Sequence, residues 1–265
     1  MPTALITGTS SGFGAGVAQR LVGLGWDVVG TMLEEPDVAP PWHVVVADVT
    51  DDDAVAALGD LVTSRWGSLD ALVNNAGIAV GGAIEELTPA ELRHQLDVNV
   101  VGPLMLVRAC LPALRAAEGV VVQVSSISGQ SGDAMLGAYN ASKFALEGAS
   151  EALLLEVAAH DVRVVVVEPG PFRTAIGAAS PVAAARDVDG IYAASWADLD
   201  AWLAWLRTSS ADPAACVEAI VGAILRPDAP FRIPVGEGIA AAVRRAAERR
   251  IEQANDSEEF LRSLE

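Results

Sequence analysis

Apolar residues fall along this chain in two alternating rhythms. Runs that are apolar at nearly every position read as strands: "TALIT" (3–7), "DVVGT" (27–31), "HVVVAD" (43–48), "DALVNN" (70–75), "GVVVQVSS" (119–126) and "VRVVVVEP" (162–169). Their lack of polar alternation suits strands covered on both faces, as in a parallel sheet. Between them, 13–24, 52–66, 88–117 and 138–160 carry helical patterns. A further helix is expected over 212–226, followed by a seventh strand, "PFRIPVG" (230–236). Strands and helices taken in turn predict one doubly wound α/β domain, with a seven-stranded parallel sheet and right-handed crossovers.

Two regions break the rhythm. Residues 32–42, "MLEEPDVAPPW", are too short and proline-rich for the helix expected between the second and third strands. Residues 175–211 carry Trp196, Trp202 and Trp205 among many alanines and read as a lid inserted into the domain. At least two of these tryptophans can share a helix face, whereas Tyr192 reads as structural. No linker or internal repeat divides residues 1–236, and 237–265 form a charged, helical tail.

Composition narrows the possible functions. Half the 265 residues are apolar, enough for one large core, and the net charge of −18 argues against nucleic acid and anionic membrane surfaces. Cys110 and Cys216 belong to no CxxC or Cys/His pattern, and His43, His94 and His160 lack ligand spacing, so no metal site is expected. The opening "MPTALITG" enters a strand without a basic segment, so neither a signal peptide nor export is expected, and a cytoplasmic location follows. No uninterrupted apolar run approaches the about 20 residues of a membrane span.

The first strand runs into "TGTSSGFGAG", where Gly8, Gly12 and Gly14 are spaced G-x3-G-x-G before a helix. Glycine permits the tight turn and the close approach of backbone to a pyrophosphate, and the helix start offers free N–H groups. At the first strand of a doubly wound sheet, this points to a dinucleotide. The stretch "AYNASKFALEG" (138–148) holds the single lysine of a chain with sixteen arginines, four residues after Tyr139.

Taken together, the glycine loop, "NNAG" (74–77), "VSS" (124–126) and Y-x3-K (139–143) resemble the short-chain dehydrogenase/reductase family from residue 3 to about 236. "YNASKFALEGASEALLLEV" and "VEPGPFRT" are most similar to the branch of retinol and 17β-hydroxysteroid dehydrogenases and their bacterial relatives. The resemblance implies a Rossmann fold, NAD or NADP as cofactor, a small alcohol or ketone as substrate, and a homodimer or homotetramer. It implies Tyr139 as general acid/base and Ser126 as the hydroxyl on the substrate oxygen, with Ser125 and Ser128 as weaker candidates. Asn99 matches the asparagine that holds a proton-relay water. Cofactor contacts map onto Gly8, Ser10, Ser11, Gly12, Phe13 and Gly14 in the loop, and onto Asp48 and Val49 at the adenine. Asn75, Ala76 and Gly77 line the adenosine side, while Tyr139, Lys143, Pro169, Gly170 and Thr174 surround the nicotinamide. A dehydratase or epimerase of the same fold is the enzymatic rival. A non-catalytic dinucleotide sensor is the other, although it would be expected to lose Tyr139 or Lys143.

These roles also have a physical basis. Positions i and i+4 share a helix face, so Tyr139 and Lys143 point the same way. An ammonium roughly 6 Å from a phenolate, at an effective dielectric of about 20, is worth about 3 kcal/mol, or about two pKa units. Lysine offers three rotatable donors where arginine offers a planar fork, which explains a lysine in a chain otherwise committed to arginine. For the cofactor, Met32 and Leu33 stand where a selecting acid or base is expected, Ser11 occupies the loop, and Glu34 and Glu35 follow. Arg20 lies one or two turns into the first helix, so a modest preference for NAD is expected. The tryptophans predict an apolar substrate.

Overall fold

A computed structural model of the chain describes residues 1–174, 176 and 181–262. Seven strands form one sheet: β1 (Thr3–Ile6), β2 (Asp27–Met32), β3 (His43–Val46), β4 (Ala71–Asn74), β5 (Val120–Val124), β6 (Arg163–Pro169) and β7 (Arg232–Val235). Their order is β3-β2-β1-β4-β5-β6-β7, and every neighbouring pair is parallel. The chain steps outward from β1 on one side through β2 and β3, then returns to β4 on the other. A crevice therefore opens beyond the carboxyl ends of β1 and β4, where such sheets bind ligands.

The valine-rich strands are buried on both faces because successive side chains alternate between them. Ala4 and Ile6 of β1 pack with Val17 and Leu21 of α1 (Gly12–Gly23) and with Cys216, Ile220 and Ile224 of α7 (Ala214–Leu225). Leu5 faces the opposite layer, with Leu58 and Val62 of α2 (Asp52–Arg65), Leu106 and Leu114 of α4 (Gly102–Ala117), and Leu153 of α5 (Gly137–Val157). The predicted helix over 88–117 is continuous but not uniform. It comprises α3 (Pro89–Leu96), a π-helical turn (Asp97–Val101) and α4. Thr88 caps its start: Glu91 N donates to the Thr88 hydroxyl, and Thr88 N donates to the Glu91 carboxylate at 2.7 Å. By length and composition Pro89–Ala117 is apolar enough to cross a membrane, unlike the expectation from uninterrupted runs. Here its apolar side lies on the sheet and against α2.

No helix forms between Leu33 and Trp42, as the prolines predict. Helix α6 (Ala193–Ser209) carries the three lid tryptophans, while residues 175 and 177–180 of the expected lid lie outside the described residues. The tail forms α8 (Ile239–Arg262), with Ile239 and Ala246 buried at its start. Residues 263–265 also lie outside the described residues.

The loop after β1 shows why its glycines are needed. Gly8 and Gly12 adopt φ of 70° and 58°, the left-handed region that side chains disfavour. Gly14 is crowded instead: a Cβ there would lie 2.2 Å from Gly8 O and 2.6 Å from Asn75 Nδ2. The first turn of α1 thus presses directly on the loop. We expect Gly14→Ala to cost about 1–3 kcal/mol of stability. Chemical denaturation with a midpoint equal to the parent's would show that the loop relaxes freely around the extra carbon.

Candidate active site

The sheet brings the Y-x3-K helix over the end of β5. Lys143 is buried at 4 % exposure, and its ammonium donates to Val124 O at 2.9 Å while standing 5.8 Å from the centre of the Tyr139 ring. Burial drags the lysine down to about 8, and the carboxylate of Glu147, one turn further along α5, opposes that fall. Burial raises the Tyr139 phenol above its ordinary value; a hydrogen bond with Ser126 works against the rise, and the Asp133 carboxylate adds to it. The depressed phenol expected from Lys143 is therefore not the state of the protein alone. Desolvation is the largest influence on the phenol, and the ammonium is directed at a backbone carbonyl. Ser126 begins a 3₁₀ turn (Ile127–Gly129), and its hydroxyl accepts from Ser128 N at 3.1 Å. Ser125 and Ser128 also line the cleft, but of the three it is Ser126 that bears on the Tyr139 phenol, favouring its ionised form.

Asn99 sits in the π turn, buried, and lines none of the cleft. Its Nδ2 donates to Ile78 O at 2.9 Å and to the Ser142 hydroxyl at 3.0 Å, and its Oδ1 accepts from Ile78 N at 2.9 Å. The Ser142 hydroxyl donates to Tyr139 O at 2.7 Å. Asn99 thereby couples the loop after β4 to the helix that carries Tyr139. Gln95, a residue the sequence reading missed, supports the same segment: Val80 N donates to its Oε1 at 2.7 Å.

A cleft of about 1240 Å³ runs from the β2–β3 side, past the glycine loop, to α6. Gly8, Ser10, Ser11, Gly12, Phe13, Asp48, Val49, Ala76, Gly77, Pro169, Gly170 and Thr174 line it, together with Tyr139, Lys143 and Ser126. Gly14 does not, since it packs beneath Gly8. Asn75 lines it while its amide ties down the loop, Nδ2 donating to Thr7 O at 2.8 Å and Gly8 O at 3.1 Å. Val49 is fixed by close packing, because a Cβ on Gly102 would lie 2.6 Å from Val49 O. The cradle fits a dinucleotide: left-handed glycines bring the backbone to the start of α1, whose first amides are free to meet an anion. At the β2 end the cleft is acidic, with Glu34, Glu35, Asp37 and Asp48 along it. Arg20 is engaged elsewhere, its Nε donating to Glu218 at 3.0 Å. The buried indole N–H of Trp42, also in this wall, has no protein partner among the described residues.

Behind Lys143 lies an acidic cluster that the strand pattern gave no reason to expect. Glu168 ends the valine run of β6 and is fully buried, accepting from Gln130 Nε2 at 2.7 Å. Arg232 Nε donates to Glu147 at 3.0 Å and stands 3.6 Å from Glu168. Burial, then Glu147, push the Glu168 carboxyl up to about 7, against the Gln130 bond and Arg232.

The far end of the cleft is apolar. Met135, Leu136, Trp196 and Leu199 form a cluster against which Tyr139 is partly packed. Trp196 is buried, with its indole N–H donating to Glu86 at 3.0 Å; Trp202 lines the cleft, and Trp205 does not. Tyr192 has the structural contact expected of it, its phenol donating to Glu85 at 2.8 Å.

Comparison with known proteins is consistent with this geometry. A family model described as short chain dehydrogenase matches residues 2–183. The chain is 36 % identical over 233 residues to a 3-ketodihydrosphingosine reductase of Bacteroides thetaiotaomicron, covering 88 % of this chain and 87 % of that one. A short-chain dehydrogenase/reductase of Burkholderia phymatum, solved with NAD, superposes with a TM-score of 0.82 at 25 % identity over 95 % of each chain. A short-chain dehydrogenase of Burkholderia cenocepacia, solved with NADP, gives 0.75 at 26 % identity over 96 % of each chain.

The acidic cluster has a measurable consequence. A carboxyl raised from 4.5 to about 7 on folding binds more protons in the native state, so its contribution falls as pH rises through that window. Glutamine does not titrate. The thermal midpoint of Glu168→Gln relative to the parent should therefore climb between about pH 5 and about pH 8. A difference independent of pH would show that Glu168 ionises normally.

Proposed function

The chain belongs to the short-chain dehydrogenase family, and from that premise we propose that it interconverts an apolar secondary alcohol and its ketone, with Tyr139 as general acid/base. The family is one of NAD(P)-dependent oxidoreductases. The observation that carries the finer reading is the convergence of Tyr139, Ser126 and Lys143 on one cleft, with the Lys143 ammonium 5.8 Å from the centre of the Tyr139 ring. A bound nicotinamide dinucleotide supplies the hydride acceptor or donor. Gly8, Ser10, Ser11, Gly12 and Phe13 would hold its phosphates, Asp48, Val49, Ala76 and Gly77 its adenosine, and Pro169, Gly170 and Thr174 its nicotinamide end. Gly14 and Asn75 support that cradle from below.

Within the cleft, Ser126 and Tyr139 both present hydroxyls to a carbonyl oxygen. A phenol held protonated is suited to donate to that oxygen as negative charge develops on it, and Ser126 stabilises the same charge. In the oxidative direction the phenol must first lose its proton, which the ammonium of Lys143 and the positive charge of an oxidised nicotinamide both favour. One donor of Lys143 is engaged by Val124 O, leaving two for a ribose hydroxyl and a water. Asn99 acts here through its side chain, fixing Ile78 and Ser142 and hence the helix start. The apolar wall of Met135, Leu136, Leu199 and Trp202 supports a hydrophobic substrate.

Two measurements test the reading. Tyr139→Phe should keep dinucleotide binding and lose at least about 10²-fold in turnover; activity within about tenfold of the parent would exclude the phenol as acid/base. For the cofactor, four carboxylates and no arginine or lysine line the β2 end of the cleft among the described residues, which disfavours a 2′-phosphate. NAD should bind more tightly than NADP by a modest factor in equilibrium titrations at low salt, and tighter NADP binding would reverse that assignment.

A further inference from the structure

Tyr139, Lys143, Glu147 and Glu151 follow one another at intervals of four along α5, so a phenol, an ammonium and two carboxylates form one row on the helix. Tyr139 and Lys143 line the cleft, and Glu151 is exposed. Between these ends, Glu147 is buried at 5 % exposure, and Glu168, from the end of β6, is buried at 0 %. A Cβ on Gly129 would lie 3.1 Å from both Glu147 Cγ and Ser125 Oγ, so Glu147 is pressed against the turn that Ser126 begins.

The row holds more acid than its one guanidinium can neutralise. Among the described residues, Arg232 is the one cation paired with either buried carboxylate. Its Nε donates to Glu147 and its Nη2 to Glu151, both at 3.0 Å. Glu168, 3.6 Å from Arg232 Nε, is left with the neutral amide of Gln130. Oε1 of Glu147 and Oε2 of Glu168 have no partner among the described residues. A buried carboxylate with an unbonded oxygen bears its charge at high cost. With the guanidinium bonded to Glu147, the geometry places the charge there and the proton on Glu168. The rise of the Glu168 carboxyl to about 7 on burial agrees with that placement. The charged groups around Glu168 are Glu147 and Glu151 from α5 and Arg232 from β7; Arg250 of α8 reaches the Gln130 backbone, donating to its O at 2.8 Å. Arg232 is partly exposed, so water reaches this edge of the cluster.

We propose that Glu168 is a positioning residue for the reaction of Tyr139: once its O–H proton has passed to water at the Arg232 edge, its carboxylate holds the Lys143 ammonium in the charged form while the phenol gives up its own proton. This rests on the oxidoreductase reading above and names a further residue of the same reaction. Glu168 acts through Glu147 and Lys143. An ionised Glu168 shares Arg232 with Glu147, which leaves more of the Glu147 charge for the ammonium, and a second negative charge behind Lys143 opposes loss of its proton. The order of ionisation suits the role, since Glu168 gives way at about 7 and Lys143, dragged down by burial, at about 8. Without Glu168, the ammonium is lost in the range where oxidation of an alcohol needs the phenolate.

The single lysine makes the test direct. In the full chain grown with lysine carrying carbon-13 at Cε, one resonance reports Lys143, and its shift against pH follows the ammonium without any turnover. The midpoint should fall by about half a unit or more in Glu168→Gln, because glutamine never acquires the charge. Gln130→Leu removes the donor that favours the Glu168 carboxylate and should move the midpoint in the same direction by less. It carries the test if the first variant fails to fold, and a midpoint equal to the parent's in either folded variant overturns the proposal. The second readout is oxidation of dodecan-3-ol with NAD. The ratio of kcat/KM at about pH 9 to that at about pH 6 should be at least about threefold lower in Glu168→Gln than in the parent, half a unit of protonation being about threefold. A shifted lysine with an unchanged ratio also overturns the proposal and leaves the oxidoreductase reading intact. Failure of the parent to oxidise the alcohol with either dinucleotide counts against that reading itself and removes the proposal with it, whatever the lysine does.

Discussion

The hydrogen bond from the Lys143 ammonium to Val124 O is the interaction on which the site depends. It fastens the middle of α5 to the end of β5, and it is the direct partner of a charge that has been taken out of water. Removing a solvated ammonium into a protein interior is expensive unless it is bonded and paired. The structure meets that demand with one carbonyl and one carboxylate, and even so the lysine is brought down to about 8. Tyr139, one helical turn earlier, is positioned by the same anchor. Ser126, two residues beyond Val124, shares the cleft with the phenol because the strand ends where the lysine holds it. Arginine could not substitute for this anchor, because its planar fork cannot aim one donor at a strand end and leave others free.

The second constraint is the burial of acid behind that anchor. Glu147 supports the Lys143 charge but crowds Glu168, and Arg232 bridges them from β7. The last strand of the sheet therefore contributes to the electrostatics of a helix two strands away. In front of the anchor, burial keeps the phenol protonated. The phenol of the protein alone is thus protonated, as the proposed donation to a carbonyl oxygen requires. Acting as a base requires the additional positive charge that an oxidised cofactor brings.

Much of this was legible in the sequence, and for identifiable reasons. Strands buried on both faces leave valine runs, and a strand-to-helix turn that must approach a phosphate leaves glycines. The single lysine four residues after Tyr139 marked the site because helix geometry fixes that spacing. What escaped depends on contacts between distant segments. Glu168 directly follows a run of valines, and nothing local says that Gln130 and Arg232 will meet it. Asn99 was found through the family resemblance, but its partners at Ile78 and Ser142 are set by tertiary packing and by a π turn no periodicity announced. Gly14 looked like a phosphate contact and proved to be a packing glycine, since spacing alone does not say which side of a loop is crowded. The pairwise charge of Lys143 suggested a depressed phenol, whereas in the protein alone desolvation, a property of the folded interior, raises it.

The central claim is that Tyr139 is protonated in the free protein and becomes easier to ionise when a positive charge is placed beside it. The chain has two tyrosines, so in Tyr192→Phe the remaining phenol can be titrated alone by ultraviolet difference absorbance. Without dinucleotide its pKa should lie above the ordinary value of about 10, and with saturating NAD in the oxidised form it should fall by more than about one unit. Titration curves that coincide with and without oxidised dinucleotide would contradict the account.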